Sequence, residues 1–557
     1  MPTVPLGRVS GRTLETLVTA VRKTPARAVL AGIIRAELGI DALRALPREL
    51  RGPLPFSYAP VQARPSHARA SAGLPAPERK GVPRCAGQLS AAFRAGSTTP
   101  EQVATRALAH ARQLARQQPS LGPLCGYDDA RALAAARESH ARILSGRARS
   151  GLEGVPLAIK EEVNLSGFPT RMGSGYAGHP IAEHDAVAVQ RLRAAGAVIL
   201  GQTPMTEFGL SPLGANTKRR MPQNPHDPRR LAGGSSTGSA VAVACGTTAL
   251  ALGADGGGSI RIPAAHCGIF GLKPTYGRIP TTGLGLPSTT SVVHLGPLGL
   301  SSSDLAVFVE LAAGQDGLDA AAAQAPPLPP DELGLALRRG VQGLRIGIEA
   351  DEWSHATPTI QRAGRAALDA LVRAGATLVE VKSRLMPWAG AIGYLTIGLE
   401  GLIGLARIRE EHMDELGSDV QLVLAGMDTF RPDDYLDAQR LRAALRAEVA
   451  QLLTDVDLLA LPTTGRGPLL VKERETQLGF IDPQALDATC RFAFLGNVTG
   501  LPAGSAPVGV DEQGLPIGLQ LIGDAWDEAC VLQALAELER TGAASVPRSP
   551  HALDLLM

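Results

Sequence analysis

Two runs of small residues constrain this chain more than any other feature of its sequence. Residues 233–239 read GGSSTGS, and residues 255–263 read DGGGSIRIP. Glycine lets the backbone turn tightly, and successive N–H groups in such a turn can converge on one anion. A serine in such a turn is a candidate nucleophile whose neighbouring N–H groups face a developing oxyanion. The two runs therefore indicate a site built around a reactive serine.

A lysine in an apolar segment offers the base for that chemistry. Residues 154–160 read GVPLAIK, which predicts a buried strand that ends at Lys160. Burial disfavours the charged ammonium form, so a lysine at this position can accept a proton. The two serine runs and the lysine together predict acyl transfer to a serine without the help of a histidine.

A second interpretation places the nucleophile at Ser236. Residues 234–238, GSSTG, fit the G-x-S-x-G pattern of an α/β-hydrolase-type esterase, in which a strand directly precedes the serine. The preceding residues, NPHDPRRLAG, predict a loop instead. His266 is the histidine nearest to Ser259 in sequence, and we expect it to pack or cap rather than to catalyse.

The composition argues against several classes of function. The 557 residues carry 55 basic and 53 acidic side chains, a formal net charge of +2, and only 3% aromatic residues. This balance offers neither a basic surface nor stacking groups, so we expect no nucleic-acid partner. Six cysteines lie scattered without metal-binding spacing, which predicts reduced thiols in a cytoplasmic protein and no metal site.

The N-terminal region carries no convincing targeting signal. The apolar stretch 28–34 is too short to span a bilayer. Residues 12–51 alternate apolar and basic positions at roughly helical spacing. A helix of this kind either packs on the domain behind it or rests on an anionic membrane surface. We expect the first, and therefore no membrane partner.

Short apolar segments alternate with helical ones along most of the chain. This pattern predicts an α/β fold with a mixed, twisted sheet covered by helices on both faces. Residues 1–84 are expected to form an N-terminal helical extension with a Pro-rich arm at 52–81, and residues 85–557 the main domain, with a helical cap near 385–450. The predicted strands lie at 155–159, 197–200, 249–252, 344–348, 377–381, 456–461 and 519–522.

The serine-containing runs belong to a longer string that resembles a known family. Residues 260–280 read IRIPAAHCGIFGLKPTYGRIP, and later stretches read HLGPLGLSSSDL (294–305), VDLLALPTT (456–464), FLGNVTGLPAGSAPVG (494–509) and GLPIGLQLIG (514–523). With the upstream GVPLAIK, they make the chain similar to the amidase signature family over roughly residues 90–545. The resemblance implies hydrolysis of a carboxylic amide to an acid and an amine or ammonia through an acyl-enzyme. It implies no metal or organic cofactor.

The resemblance also implies a role for each residue that matches the family's motif. Lys160 matches the base, Ser259 the nucleophile, and Ser235 the serine that relays the proton between them and follows a cis peptide bond. Their separations of 75 and 24 residues agree with the family's spacing. The oxyanion is expected to meet the N–H groups of Gly256, Gly257, Gly258 and Ser259. The residues expected to support the relay and the turn are Ser236, Asp255 and Arg261.

The expected substrate rests on two further observations. Gly256 stands where the family more often has threonine or isoleucine, which predicts a looser turn or a wider pocket. Apolar residues of the cap either line that pocket or form ordinary helix core; they are Leu385, Met386, Trp388, Ile392, Leu395 and Ile397. We expect a small-molecule substrate, namely a bulky hydrophobic amide, anilide, carbamate or ester.

Another member of the same family offers the main alternative function. The family includes the glutamine-hydrolysing component of tRNA-dependent amidotransferases, which passes ammonia to a partner-bound acyl group. The sequence leaves this alternative open beside the esterase interpretation at Ser236. A homodimer is also compatible with the sequence.

Overall fold

Thirteen strands define the fold in the part of the chain that the structure describes. The computed structural model describes residues 7–21, 29, 32–33, 35–52, 81–176, 178–285 and 291–557. The strands are β1 Val9–Ser10, β2 Gly126–Tyr127, β3 Pro156–Lys160, β4 Val198–Thr203, β5 Leu250–Asp255, β6 Phe270–Lys273, β7 His294–Gly299, β8 Arg345–Ile348, β9 Thr377–Glu380, β10 Leu458–Pro462, β11 Phe480–Ile481, β12 Ala503–Val510 and β13 Pro516–Gly523.

Eleven of these strands form one mixed sheet. Their order is β2-β4-β3-β5-β7-β6-β12-β13-β10-β8-β9, and β1 and β11 form a separate two-stranded sheet. Strand β3 runs parallel to both β4 and β5, and β8 runs parallel to both β9 and β10. The remaining neighbours are antiparallel. Strands β3, β4 and β5 are buried along their whole length, because helices flank the sheet.

Helices make up most of the remaining structure. They are α1 Gly11–Val21, α2 Ile40–Arg44, α3 Ala86–Arg94, α4 Pro100–Ala115, α5 Asp129–Leu144, α6 Val187–Ala194, α7 Thr237–Ala244, α8 Arg261–Cys267, α9 Ser302–Ala312, α10 Glu332–Ala336, α11 Ala350–Trp353, α12 Pro358–Arg373, α13 Ala389–Gly404, α14 Ala406–Glu411, α15 Ser418–Met427, α16 Pro432–Asp455, α17 Glu473–Leu478, α18 Pro483–Cys490, α19 Phe494–Thr499 and α20 Glu528–Arg540. Between residues 386 and 455 every regular element is helical.

The register of β3 and β5 decides where the site lies. Leu157 pairs with Leu250 and Ile159 with Leu252, so the two parallel strands end side by side. The carboxyl ends of parallel strands meet at one edge of a sheet, where α/β proteins bind their ligands. Lys160 ends β3 at this edge, and the glycine turn before Ser259 follows β5.

The N-terminal extension packs on the helical region between residues 386 and 455. Helix α1 buries Leu14, Val18 and Val21, which form one apolar cluster with Leu422 of α15. Arg44 forms an ion pair with Asp434 of α16 at 2.7 Å. Packing, the expected role for this amphipathic segment, is therefore what the described residues of α1 adopt. None of the helices in the described ranges is both long and apolar enough to cross a membrane.

The fold class predicted from the sequence is confirmed. Each of the seven predicted strands overlaps an observed one, but β2, β6, β7 and β12 were missed. Strands β7 and β12, HLGPLG and AGSAPVGV, are rich in glycine and proline, which disfavour isolated strands. Their neighbours in the sheet stabilise them instead. The Pro-rich arm lies almost entirely outside the described residues, and the division of the chain at residue 84 stays a prediction.

The close approach of α7 to the segment after β4 gives a test of the packing. A Cβ on Gly238 would lie against Pro204 Cδ, 2.8 Å from Pro204 N and 2.9 Å from the Pro123 carbonyl oxygen, whereas a Cβ on Gly390 meets no described atom within 4 Å. Overpacking of this kind costs about 1–3 kcal/mol. We expect Gly238→Ala to lower the free energy of unfolding by that amount, measured by denaturant titration.

Gly390→Ala is the matched control, because Gly390 also lies in a helix. Alanine in place of a helical glycine stabilises by up to about 1 kcal/mol. Equal unfolding free energies for the two variants would contradict the packing described for α7.

Candidate active site

Three groups surround the ammonium nitrogen of Lys160. Its Nζ donates to Ser235 Oγ at 2.8 Å and to the Ala254 carbonyl oxygen at 3.2 Å. Glu162 Oε1 lies 2.5 Å from the same nitrogen. This approach lacks hydrogen-bond geometry, since Oε1 has no hydrogen-bond partner among the described residues, so the contact is an ion pair by distance. Lys160 is only 1% exposed, and its charge is therefore balanced inside the protein.

Ser235 and Ser259 are brought together by the two small-residue runs. The Gly234–Ser235 peptide bond is cis, as the resemblance implied. The Ser236 N–H donates to the Ser259 carbonyl oxygen at 3.2 Å, which ties one run to the other. Ser235, Ser259 and Lys160 all line one cavity. The three residues predicted to form the relay thus lie around a common space.

The glycine turn departs from the prediction at Gly258. Its N–H donates to Asp255 Oδ1 at 2.7 Å, and Gly258 does not line the cavity. A backbone N–H has one hydrogen, so this donor is already engaged and does not face an oxyanion. Gly256, Gly257 and Ser259 do line the cavity. The donor set expected from the sequence is therefore reduced to three residues.

A fully buried ion pair holds this turn in place. Arg261 donates from Nη2 to Asp255 Oδ1 at 2.9 Å and from Nε to Oδ2 at 3.0 Å. Asp255 Oδ2 also accepts from the Ile260 N–H at 3.1 Å, and Asn497 Nδ2 donates to Oδ1 at 2.9 Å. Burial alone would raise the pKa of Asp255, but the charge and hydrogen bonds of Arg261 outweigh burial and hold that pKa below its usual range. The expected pairing of Asp255 and Arg261 is present.

Arg261 reaches beyond the turn to the far side of the sheet. Its Nη1 donates to the Ala493 carbonyl oxygen at 2.8 Å and also to the Gln520 side chain. Its Nη2 donates to Asn497 Oδ1 at 2.5 Å. The segment after Ser259 is thereby joined to α19 and β13, which lie more than 200 residues later in sequence.

The cavity is mainly apolar. Its charged lining residues among those described are Lys160 and Glu162, and its apolar side chains are Phe208, Leu210, Leu284, Val293, Ile397, Leu405, Met427 and Phe494. Tyr394 and Cys490 complete the titratable groups of the wall. A cavity of this character offers water-excluding walls with few polar anchors.

Two expectations about the pocket wall are revised. A Cβ on Gly256 would lie 2.8 Å from Ile397 Cδ1 and 3.1 Å from Val293 Cγ2, so neighbouring side chains already occupy the space that this glycine leaves. Gly256 therefore does not widen the pocket. Of the six apolar cap residues singled out from the sequence, Ile397 alone lines the cavity. Leu385, Met386, Ile392 and Leu395 are buried core, and Trp388 packs partly buried against it.

The candidates for the esterase interpretation lie away from the reacting groups. Ser236 is completely buried, donates to the Ala254 carbonyl oxygen at 3.2 Å and does not line the cavity. No strand directly precedes it in the described segment 204–236. Burial lowers the pKa of His266 to about 4, and its Nε2 faces the Arg466 carbonyl oxygen at 3.4 Å. His266 packs, as expected.

Two residues of the site escaped the sequence reasoning. Glu162 stands two residues after Lys160, a spacing that puts side chains on one side of an extended chain, and this signal was available. Asn497 lies in the quoted string FLGNVTG, but its partner Asp255 is 242 residues away. Within the described ranges, no three His, Cys, Asp or Glu side chains cluster as a metal site would require.

Comparison with known proteins decides the family. The Amidase family model matches residues 105–532. The chain belongs to the amidase signature family. Members of this family hydrolyse carbon–nitrogen bonds, so the protein is an amidase. The recognition made from its motifs is confirmed.

The similar proteins differ in the substrates that their names state. Fatty acid amide hydrolase of Arabidopsis thaliana is 34% identical over 454 residues, covering 80% of this chain and 74% of that relative. A component of the glutamyl-tRNA(Gln) amidotransferase of Chloroflexus aurantiacus is 34% identical over 467 residues, covering 80% and 93%. The solved structure of native peptide amidase from Stenotrophomonas maltophilia matches with a TM-score of 0.69 at 28% identity, covering 84% and 99%. Family membership therefore leaves the substrate of this amidase open.

Removing the buried charge of Asp255 tests the support of the turn. Asp255→Asn leaves Arg261 buried without its counter-ion, which typically costs about 3–5 kcal/mol of stability. Because the pKa of Asp255 is held low in the folded amidase, its contribution is complete above about pH 4 and is lost as the pH falls. We expect Asp255→Asn to be less stable at pH 7 and to lose less stability on acidification, measured by denaturant titration at several pH values. Parallel stability curves for the two proteins would contradict this assignment.

Proposed function

We propose that this amidase hydrolyses carboxylic amides with Ser259 as the nucleophile, Ser235 as the proton relay and Lys160 as the base. The observation that carries the proposal is the 2.8 Å contact between Lys160 Nζ and Ser235 Oγ, beside the cavity that Ser259 lines. Neutral Lys160 takes a proton from Ser235 as Ser235 takes one from Ser259, whose Oγ attacks the amide carbonyl. The proton returns by the same route to the leaving nitrogen. Water repeats the cycle on the acyl-enzyme.

The oxyanion is assigned to the N–H groups of Gly256, Gly257 and Ser259. Gly258 acts differently: its N–H holds the turn against Asp255. A preorganised donor needs no rearrangement when charge develops on the carbonyl oxygen, and losing one typically costs about 100- to 1000-fold in rate. The buried ion pair of Asp255 and Arg261 supplies that preorganisation, because it orients the chain immediately before and after Ser259.

We further propose an apolar substrate, which extends into a second cavity. The cavity at Ser259 measures about 90 Å³, and an adjoining one measures about 120 Å³. Leu210, Tyr394 and Met427 line both of them, and the second is also lined by Leu38 of the N-terminal extension. Ligand pockets usually measure about 300–1000 Å³, so neither cavity alone receives a bulky group. A bulky acyl or amine part fits by displacing the shared side chains and occupying both.

The name of one relative, fatty acid amide hydrolase, agrees with an apolar substrate. The equally similar amidotransferase component supports the alternative, hydrolysis of glutamine for a partner complex. A glutamine side chain would need polar anchors beyond the reacting groups. In the described lining these are limited to Glu162, Tyr394 and Cys490. The cavity therefore favours the first function over the second.

The identity of the nucleophile is tested by covalent labelling. A fluorophosphonate probe should label the native protein at Ser259, and Ser259→Ala should remove both the label and amide hydrolysis while the fold is kept. Peptide mass spectrometry identifies the labelled serine. Ser236→Ala is the matched control and should keep the adduct at Ser259. An adduct on Ser236 would restore the esterase interpretation.

The substrate class is tested by filling the cavity. Gly401 lines it, and a Cβ there meets no described atom within 4 Å. Gly401→Leu should therefore enter the cavity without disturbing the helix. We expect kcat/KM for long-chain amides and hydrophobic anilides to fall at least about tenfold, while short aliphatic amides change little.

Gly390→Leu is the control for this test, because Gly390 lies in the same helix outside the cavity lining. The native protein should prefer the bulky substrates over glutamine and asparagine by a wide margin of kcat/KM. A preference for glutamine would overturn the apolar substrate class and favour the amidotransferase alternative.

A further inference from the structure

Adjacent glutamates follow Lys160 and have different surroundings. Glu161 accepts from the Met205 N–H at 3.2 Å and forms an ion pair with Arg219 at 2.9 Å, outside the active-site cavity. Glu162 lines the cavity, and its Oε1 lies 2.5 Å from Lys160 Nζ. The carboxylate side chain is only 9% exposed. It therefore contacts the nitrogen that the proposed mechanism uses as a base.

The charged surroundings of this pair are simple. Lys160 and Glu162 are the charged groups among the described residues of the cavity wall, and Tyr394 and Cys490 are the other titratable ones. Burial raises the pKa of both of these groups, so they stay neutral. Asp255 lies behind the wall and is neutralised by Arg261. Within the described site, the protonation of Lys160 is thus coupled most directly to Glu162.

We propose that Glu162 exchanges a proton with Lys160 and thereby prepares the lysine to act as a base. This inference rests on the proposed amide hydrolysis. An N–H bond of the Lys160 ammonium breaks and an O–H bond forms on Glu162, which turns a charged pair into a neutral one. Neutral Lys160 then accepts the proton that arrives from Ser259 through Ser235, and returns it to the leaving nitrogen. No proton is gained or lost by the pair in its preparation step.

The apolar wall gives the exchange its physical reason. A carboxylate beside an ammonium in water favours the charged pair, but removing water penalises both charges. A bulky apolar substrate displaces water from the cavity as it binds. The neutral form of the pair then becomes accessible when the substrate carbonyl is in place. Lys160 becomes a base without releasing its proton to the solvent.

The pH dependence of kcat/KM tests the role of Glu162. In the native amidase the pair is inactive only after it gains a second proton, so the rate should fall in the acidic range where carboxylates titrate and stay level from neutral to alkaline pH. Glu162→Gln keeps the size of the side chain but accepts no proton. Its Lys160 must lose a proton to solvent, so the rate should fall about 100-fold at neutral pH and recover at alkaline pH.

Glu161→Gln is the matched control, because it neutralises the adjacent carboxylate outside the cavity. It should leave the pH of half-maximal kcat/KM unchanged. A Glu162→Gln profile that moves to lower pH, with a faster neutral rate, would overturn the proposal, since Glu162 would then only retain the ammonium. A uniform loss with an unmoved profile would also overturn it and indicate a packing role.

The native profile provides a test that needs no folded variant. A native rate that keeps rising through the alkaline range would refute the exchange, because solvent deprotonation of the lysine would then limit the reaction. Failure of the proposed function looks different, since the native protein would show neither hydrolysis of the amide panel nor labelling at Ser259.

Discussion

The buried ion pair of Asp255 and Arg261 is the interaction on which the rest of the site depends. It spans the nucleophile in sequence, with one partner at the end of β5 and the other at the start of α8. Asp255 engages the Gly258 and Ile260 N–H groups on either side of Ser259. Two charges at zero exposure are tolerated only when paired and hydrogen-bonded, and Asn497 satisfies what remains. The nucleophile turn is rigid because this network is complete.

A second charged pair faces the cavity and differs from the first in its partners. Asp255 and Arg261 are saturated with hydrogen bonds, which suits a structural pair. Lys160 and Glu162 approach closely but with few other partners, and both line the cavity. A pair that is incompletely satisfied in an apolar surrounding is sensitive to the arrival of substrate. The proposed proton exchange uses that sensitivity, and it links the apolar character of the wall to the chemistry at its centre.

The motifs of the chain predicted the reacting groups better than they predicted the pocket. Lys160, Ser235 and Ser259 stand in strings whose residue types and spacing suit their chemistry, and these three lie around one cavity. The pocket wall comes instead from segments far apart in sequence, such as Phe208, Ile397 and Phe494. Choosing apolar residues from the cap alone therefore selected mostly core, since a helix core and a pocket wall have the same composition.

The sequence by itself determined the family, the α/β class, most strands and the proposed triad, because local patterns and contiguous motifs encode them. Tertiary structure alone decided which donors face the cavity, as the engaged N–H of Gly258 illustrates. It also decided that Ile397 occupies the space beside Gly256, and that Glu162 rather than Glu161 meets Lys160. Each of these depends on the direction of one N–H group or side chain relative to distant segments. Only the packing of β3, β5 and the helices around them sets those directions.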